Sequence, residues 1–294
     1  MKMNKLSLKR QVLSVLWAII RLIIILGLCY IIIYPFFIKI ANAFKTSADF
    51  LDPTVRFIPR NFTFDNITVV SQKLDYFSTL GNTLLVSGIC GVLCTFVSSS
   101  VGYGLARFNF KGKNLLFVLM ILTLVIPPQT VIIPLFLRFK SFFGIANLLG
   151  TPLPVFILAA TGLSLKNGLY IFMFRQFYRN VPKELEEAAY LDGCGNVSTY
   201  INIMLPAAKT MIATIFLLSF SWTWTDTVYN RIFLQDYKIL ANVISLASVG
   251  IDSKVMGANY VGIAALLAVL PLVVVYIFAQ RSFVQSIENS GLVG

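Results

Sequence analysis

A chain of 294 residues that is 57% hydrophobic and only 12% charged is too apolar for a soluble domain, and far too apolar for a disordered one. Its net charge of +12 does not point to nucleic acid, because the Lys and Arg residues are dispersed and fall at the ends of apolar runs. With no His, and with Cys29, Cys90, Cys94 and Cys194 in no metal-ligand or disulfide-framework spacing, the sequence offers neither a metal centre nor a stapled scaffold. The expectation is an all-α polytopic membrane protein.

A hydrocarbon core about 30 Å thick takes roughly 20 residues of helix to cross. Six stretches reach that length, so six transmembrane helices are expected, at 21–40, 80–107, 114–137, 154–174, 211–228 and 260–278. The basic run ahead of the first lacks a small-residue cleavage site, and the apolar run that follows is too long for a signal peptide. Residues 1–20 are therefore expected to form a retained N-terminal segment, with 21–294 as the transmembrane domain.

Orientation follows from the short loops. Lys2, Lys5, Lys9, Arg10 and Arg21 carry no acidic neighbour; Arg107, Lys111 and Lys113 crowd the loop at 107–113; Arg175, Arg179, Lys183 and Lys209 flank the one at 179–208. The segment 41–79 instead mixes Lys45, Arg56, Arg60 and Lys73 with Asp49, Asp52, Asp65 and Asp75. Since basic residues are enriched on the cytoplasmic side, both termini and the loops 107–113 and 179–208 are expected in the cytoplasm. Segments 41–79, 138–152 and 229–258 then face outward, with Arg138 and Lys140 as exceptions. Pro127-Pro128 and Pro134 interrupt the third stretch and Gly162 the fourth. Such breaks serve either as packing kinks or as the lining of a water-filled path, because irregular backbone at membrane depth needs cover by protein or a cavity.

The most organised polar loop runs from Pro182 to Pro206. Pro182 suits a first helical turn, and Glu184, Glu186 and Glu187 place negative charge at the positive end of the helix dipole. Leu185, Ala188 and Ala189 recur at helical spacing as a small apolar face. Asp192-Gly193 can end that helix through a left-handed glycine, Asn196 can cap the next, and Pro206 can stop it. The spacing predicts a short helix, a sharp turn and a second short helix. Small alanines let another surface approach closely, and the glutamates offer charge-assisted pairing to a basic partner.

Glu187-Ala188-Ala189, three residues, Gly193, nine residues, Ile203, one residue and Leu205-Pro206 resembles the coupling motif of binding-protein-dependent ABC importer permeases. The resemblance extends over most of the chain. Phe44-Lys45-Thr46-Ser47, the Pro59-to-Asn66 region, Tyr103-Gly104-Leu105-Ala106-Arg107-Phe108, Ile126-Pro127-Pro128-Gln129, Arg175-Gln176-Phe177 and the tail from Gln280 to Gly294 are similar to segments of carbohydrate importers, in particular the six-span subunit of the maltose importer. Departures are Cys194, where Ala is common, and Trp224-Thr225-Asp226, where an aromatic-Asn-Asp run is usual.

The resemblance implies a type I ABC importer permease of the bacterial cytoplasmic membrane that carries an oligosaccharide. Its partners would be a second homologous permease, two ATPase subunits, an extracytoplasmic solute-binding protein, the saccharide and membrane lipid, with no nucleic acid. Another solute, such as a sugar phosphate or an amino acid, is the alternative. It further implies that the helix at Glu187 docks in a groove of the ATPase, with Glu187 as the pairing carboxylate, Ala188 and Ala189 as the close-packed face, Asp192 and Gly193 at the turn, and Leu205-Pro206 closing the motif. The tail Ser290 to Gly294 would approach the ATPase pair, and 230–259 would reach the captured sugar.

The chain is expected to have no catalytic residues and to hold no cofactor. No Gly-x4-Gly-Lys-Ser/Thr phosphate loop occurs, so ATP and Mg would sit on the partner ATPases. Gly102-x-Gly104 lies within a span and reads as helix packing. Lys166, nine residues before Arg175, stands roughly 13 Å above the inner interface at about 1.5 Å per residue, where a Lys costs about 2.5–3.5 kcal/mol. Two readings follow. Lys166 with Asn167 and Gln129 lines the substrate path and favours an acidic, uronate-containing saccharide, or the fourth span begins late and Lys166 snorkels outward.

Overall fold

The computed structural model describes residues 3–291, and among these every regular element is helical, with isolated bridges only at Lys45–Phe62 and Phe142–Ala146. The last three residues of the tail, Leu292 to Gly294, lie outside the described residues. The chain divides into two compact units: residues up to 73 with 245–267, and 74–244 with the chain from 268 onward.

In the first unit, helix α1 (Met3–Ala43) is continuous across the expected boundary at residue 20. Its apolar stretch begins at Leu13, ahead of the expected start at 21, because Leu13, Leu16, Trp17, Ile19 and Ile20 already continue the hydrophobic run. After α1 the chain folds into a polar knot around α2 (Ser47–Leu51) and the start of α3 (Asp65–Leu74). The Thr46 hydroxyl accepts the Asp49 N–H and so caps α2. Buried Lys45 donates from Nζ to Asn42 Oδ1 at 2.9 Å and to the carbonyls of Val55 and Arg56, each at 2.8 Å. Burial pulls its pKa below the ordinary lysine value, opposed by the nearby Asp49 charge. Asp49 accepts the Asn61 N–H, Asn66 donates to the Lys45 carbonyl, and Phe44 stacks on Phe62 at 4.7 Å. Lys45→Met is expected to strand two carbonyls at about 1–3 kcal/mol. Faster amide exchange across 55–62 is the measurement; unchanged protection rules out Lys45 as the organiser of this loop.

In the second unit, α4 (Tyr76–Arg107) is the central helix and packs on α8 (Asn167–Asn180) and α12 (Lys209–Thr225). The contacts run through glycines. A Cβ on Gly102 would fall 2.6 Å from Phe174 Cβ and 3.0 Å from the Arg175 backbone N, so α4 and α8 touch backbone to backbone there. This places Gly102 in helix packing. Gly91 instead makes room for a side chain: a Cβ there would fall 2.9 Å from the ring of Phe216 on α12. Gly102→Val is therefore expected to part the helices, lowering the melting temperature of the purified assembly by several degrees; no change would mean that the contact opens freely.

The remaining spans differ from simple rods. The expected span 114–137 is α5 (Lys113–Val125) and α6 (Pro128–Lys140), meeting at 99° rather than at a shallow kink. Pro127 forces Ile126 out of the helical region, to φ −66, ψ 122, and Pro128 opens the new helix. By itself α5 is about 20 Å long, short of a full crossing. The expected span 154–174 is α7 (Leu153–Ala160) and α8, separated by six residues with Gly162 and Lys166 both at positive φ. Beyond α12 come α13 (Val228–Leu234) and α14 (Leu240–Val243). The last helix, α15 (Lys254–Gly291), continues through Pro271, and Trp224 donates from Nε1 to the Ala268 carbonyl at 3.0 Å. By length and apolarity, three described helices can cross a membrane, at Leu13–Ala43, Tyr76–Arg107 and Lys254–Gln280, or five spans if each bent pair counts as one.

Candidate functional sites

Short helix α9 (Glu184–Leu191) follows α8 directly, with Pro182 just ahead of it. Its outward face carries Glu187, Ala188, Tyr190 and Leu191, the last 89% exposed. The two alanines separate: Ala188 faces solvent, whereas Ala189 is buried against the chain itself. The helix ends as expected of a glycine cap. Gly193 adopts φ +84, its N–H donates to Tyr190, and the Cys194 N–H reaches back to Ala189 at 2.9 Å. Asp192, at the C-cap, donates its N–H to Ala188.

The second helix departs from expectation in two respects. Gly195, not Asn196, occupies the cap position of α10 (Asn196–Thr199), and the Thr199 hydroxyl and N–H both return to the Gly195 carbonyl. Pro206 does not end the helix at once. A π turn at Tyr200–Met204 precedes α11 (Leu205–Ala207), and the chain then bends by 79° into α12. Proline clashes with the carbonyl four residues earlier and donates no hydrogen bond. In the wider turn just ahead of it, the Leu205 N–H donates to the Tyr200 carbonyl, five residues back. Leu205 is half-buried and Pro206 exposed.

A buried charge pair ties α9 to the end of α4. Glu186 Oε2 lies 3.0 Å from Arg107 Nε, both side chains are over nine-tenths buried, and the Tyr103 hydroxyl donates to Glu186 Oε1 at 2.7 Å. Arg107 Nη2 also donates to the Val181 carbonyl, holding the approach to α9. Tyr103 stacks on Tyr200 at 5.0 Å, which brings the π turn into the same cluster. Sequence reasoning missed this trio. Its only signal was the four-residue spacing of Tyr103 and Arg107, which puts both on one face of α4.

A second site forms where three helix interruptions meet. A cleft of about 320 Å³ is lined by Gln129 at the start of α6, by Leu165 and Lys166 just before α8, and by Trp222, Asp226 and Tyr229 around the end of α12. Lys166 holds φ +69 and places Nζ 4.8 Å from the centroid of the Trp222 ring. The Asp226 carboxylate accepts the N–H groups of Val228 and Tyr229. Gln129 and Lys166 thus share one cleft, whereas Asn167 is buried away from it and donates to Ser98 Oγ at 3.2 Å. The charge of Lys166 sits at a helix break, with α8 beginning one residue later.

Residues 95–289, which contain the α9 loop and the cleft, match the family of binding-protein-dependent transport system inner membrane components. The chain belongs to that family. It is 28% identical to the melibiose/raffinose/stachyose import permease protein MelC of Bacillus subtilis (strain 168), over 88% of this chain and 91% of the relative. It is 27% identical to the arabinooligosaccharides transport system permease protein AraQ of the same organism, over 92% of each chain. The sn-glycerol-3-phosphate transport system permease protein UgpE of Brucella abortus (strain 2308) is 27% identical over 92% of this chain and 95% of its own. A crystal structure of a bacterial ABC transporter involved in the import of the acidic polysaccharide alginate has a chain with the same fold. Its TM-score is 0.73 at 20% identity, covering 91% of this chain and 96% of that one. The architecture is thus that of a type I ABC importer permease, all-α and membrane-embedded.

Proposed function

We propose that this chain is the permease subunit that carries an oligosaccharide across the bacterial cytoplasmic membrane by alternating access. It works with a second homologous permease, two ATPase subunits that hold ATP and Mg, and an extracytoplasmic binding protein. The observation that carries the reading is α9, which presents Glu187 and Ala188 outward while Glu186 fastens its other side to Arg107 of α4. An ATPase groove closing on the exposed face would pull α4 through the buried pair. The relatives named for raffinose-type and arabinose oligosaccharides support a saccharide cargo.

The distribution of basic residues supports a cytoplasmic position for both termini and the α9 loop. A Leu191→Cys probe in a background with Cys29 and Cys194 replaced by Ser is expected to react with an impermeant maleimide in inverted vesicles and not in intact cells; labelling in intact cells reverses the topology.

Lys166 carries a second, finer reading. The Lys166 ammonium, which shares the cleft with the Asp226 carboxylate, is the group that would meet an anionic cargo such as a uronate-containing oligosaccharide, and the likeness to a glycerol-3-phosphate permease keeps a sugar phosphate as the alternative. Uptake of an amino acid with no uptake of any saccharide would refute the saccharide reading outright. The test is uptake into proteoliposomes bearing the complete importer, with neutral and uronate-containing oligosaccharides in parallel. Lys166→Ala is expected to retain neutral uptake and lose acidic uptake; equal retention of both excludes a charge-reading role.

A further inference from the structure

Trp222 and Trp224 sit two residues apart at the end of α12 and have opposite fates. Trp224 is 3% exposed, with its indole N–H satisfied by Ala268. Trp222 is 46% exposed and forms a wall of the cleft, contributing little to the core. The half-open indole lies beside three backbone breaks. Irregular backbone at membrane depth persists only where protein or a lined cavity covers it, and broken helices in transporters mark substrate sites.

The groups around the ring are those that read a sugar. A pyranose offers a flat face of C–H groups to an aromatic plane and a rim of hydroxyls to planar hydrogen-bonding side chains. Here Gln129 and Asp226 line the same cleft as the ring, and the volume of about 320 Å³ lies within the range of small-molecule clefts. Asp226 has already spent acceptor capacity on Val228 and Tyr229, which fixes its orientation. Lys166 lies over the ring from a left-handed backbone position that a lysine rarely adopts, a local strain of the kind that collects at binding sites.

We infer that Trp222 is the stacking platform of a pyranose subsite in this subunit, and that the arriving sugar displaces Lys166 from the ring to its hydroxyl or carboxylate edge. The inference rests on the saccharide reading above and goes beyond it, because it makes this chain, and not its partner permease alone, a direct reader of the cargo. No bond is made or broken. The ammonium exchanges one weak contact with an aromatic face for a hydrogen bond to the sugar.

The complete importer in proteoliposomes tests it with Trp222→Phe and Trp222→Leu, at subsaturating loaded binding protein. Trp222→Leu is expected to lower uptake about tenfold, the ratio to which about 1.4 kcal/mol of stacking corresponds. Trp222→Phe keeps an aromatic face and is expected to stay close to wild type. ATPase stimulation by the loaded binding protein, together with the melting temperature, should be unchanged in both, which separates the subsite from folding. Wild-type uptake by Trp222→Leu, or an equal loss in the Phe and Leu variants, overturns the platform and leaves the saccharide reading standing. A wild-type importer that carries no saccharide overturns both.

Discussion

Arg107→Ala is expected to leave the Glu186 carboxylate buried without its cation, at a cost of about 3–5 kcal/mol. Both groups are more than nine-tenths buried, so water cannot screen the loss. Tyr103 would still donate to Oε1, but one neutral hydroxyl does not replace a guanidinium. The Val181 carbonyl loses its donor as well, which frees the approach to α9. The measurement is the melting temperature and membrane yield of the assembled transporter for Arg107→Ala, Glu186→Ala and the double variant. The double variant is expected to be less damaged than the sum of the singles, because removing both charges strands neither. Strict additivity would mean that the two side chains do not act as a pair. Uptake gives a second readout: the double variant should regain stability while transport stays low, since the tie between α9 and α4 is then gone.

Glu187→Lys should have the opposite profile. Glu187 is exposed on α9 and makes no ion pair among the described residues, so its replacement is expected to change stability by less than about 0.5 kcal/mol. On the proposed reading it reverses the charge that meets a basic groove on the ATPase. Uptake is expected to fall to background in proteoliposomes, with the permease present at wild-type levels and ATP hydrolysis no longer stimulated by loaded binding protein. Normal uptake with normal stimulation sinks the docking role of this carboxylate. Adjacent glutamates thus separate two kinds of failure, one of folding at Glu186 and one of drive at Glu187.

Much of this was legible in the sequence because it is local. The turn at Gly193 requires positive φ, and its neighbours in sequence were enough to place it. The apolar runs at α1, α4 and α15 announce themselves by length alone. What escaped depends on distance or degree. Tyr103 and Glu186 are 83 positions apart, and no periodicity links them. Pro127-Pro128 marked an interruption, yet nothing local distinguishes a shallow kink from the 99° turn that sends α6 away from α5. Asn167 looked like a companion of Lys166, but the left-handed residue at 166 turns the following side chain into the α4 interface. Asn196 seemed the better cap on side-chain chemistry; the glycine turn simply ends one residue earlier.

The backbone contact at Gly102 has a mechanical consequence. Where two helices meet with no side chain between them, neither can slide without breaking close packing, so the pair moves as one bar. One end of that bar, Arg107, is held by the loop that faces the ATPase on the proposed reading; along the other arm, α8 starts directly after the lysine that lies over Trp222. A displacement of α9 would therefore arrive at the cleft as a tilt, not fade within a compliant interface. On the proposed reading, the same glycine that closes the gap between two helices sets the gearing between the ATPase-facing loop and the cleft.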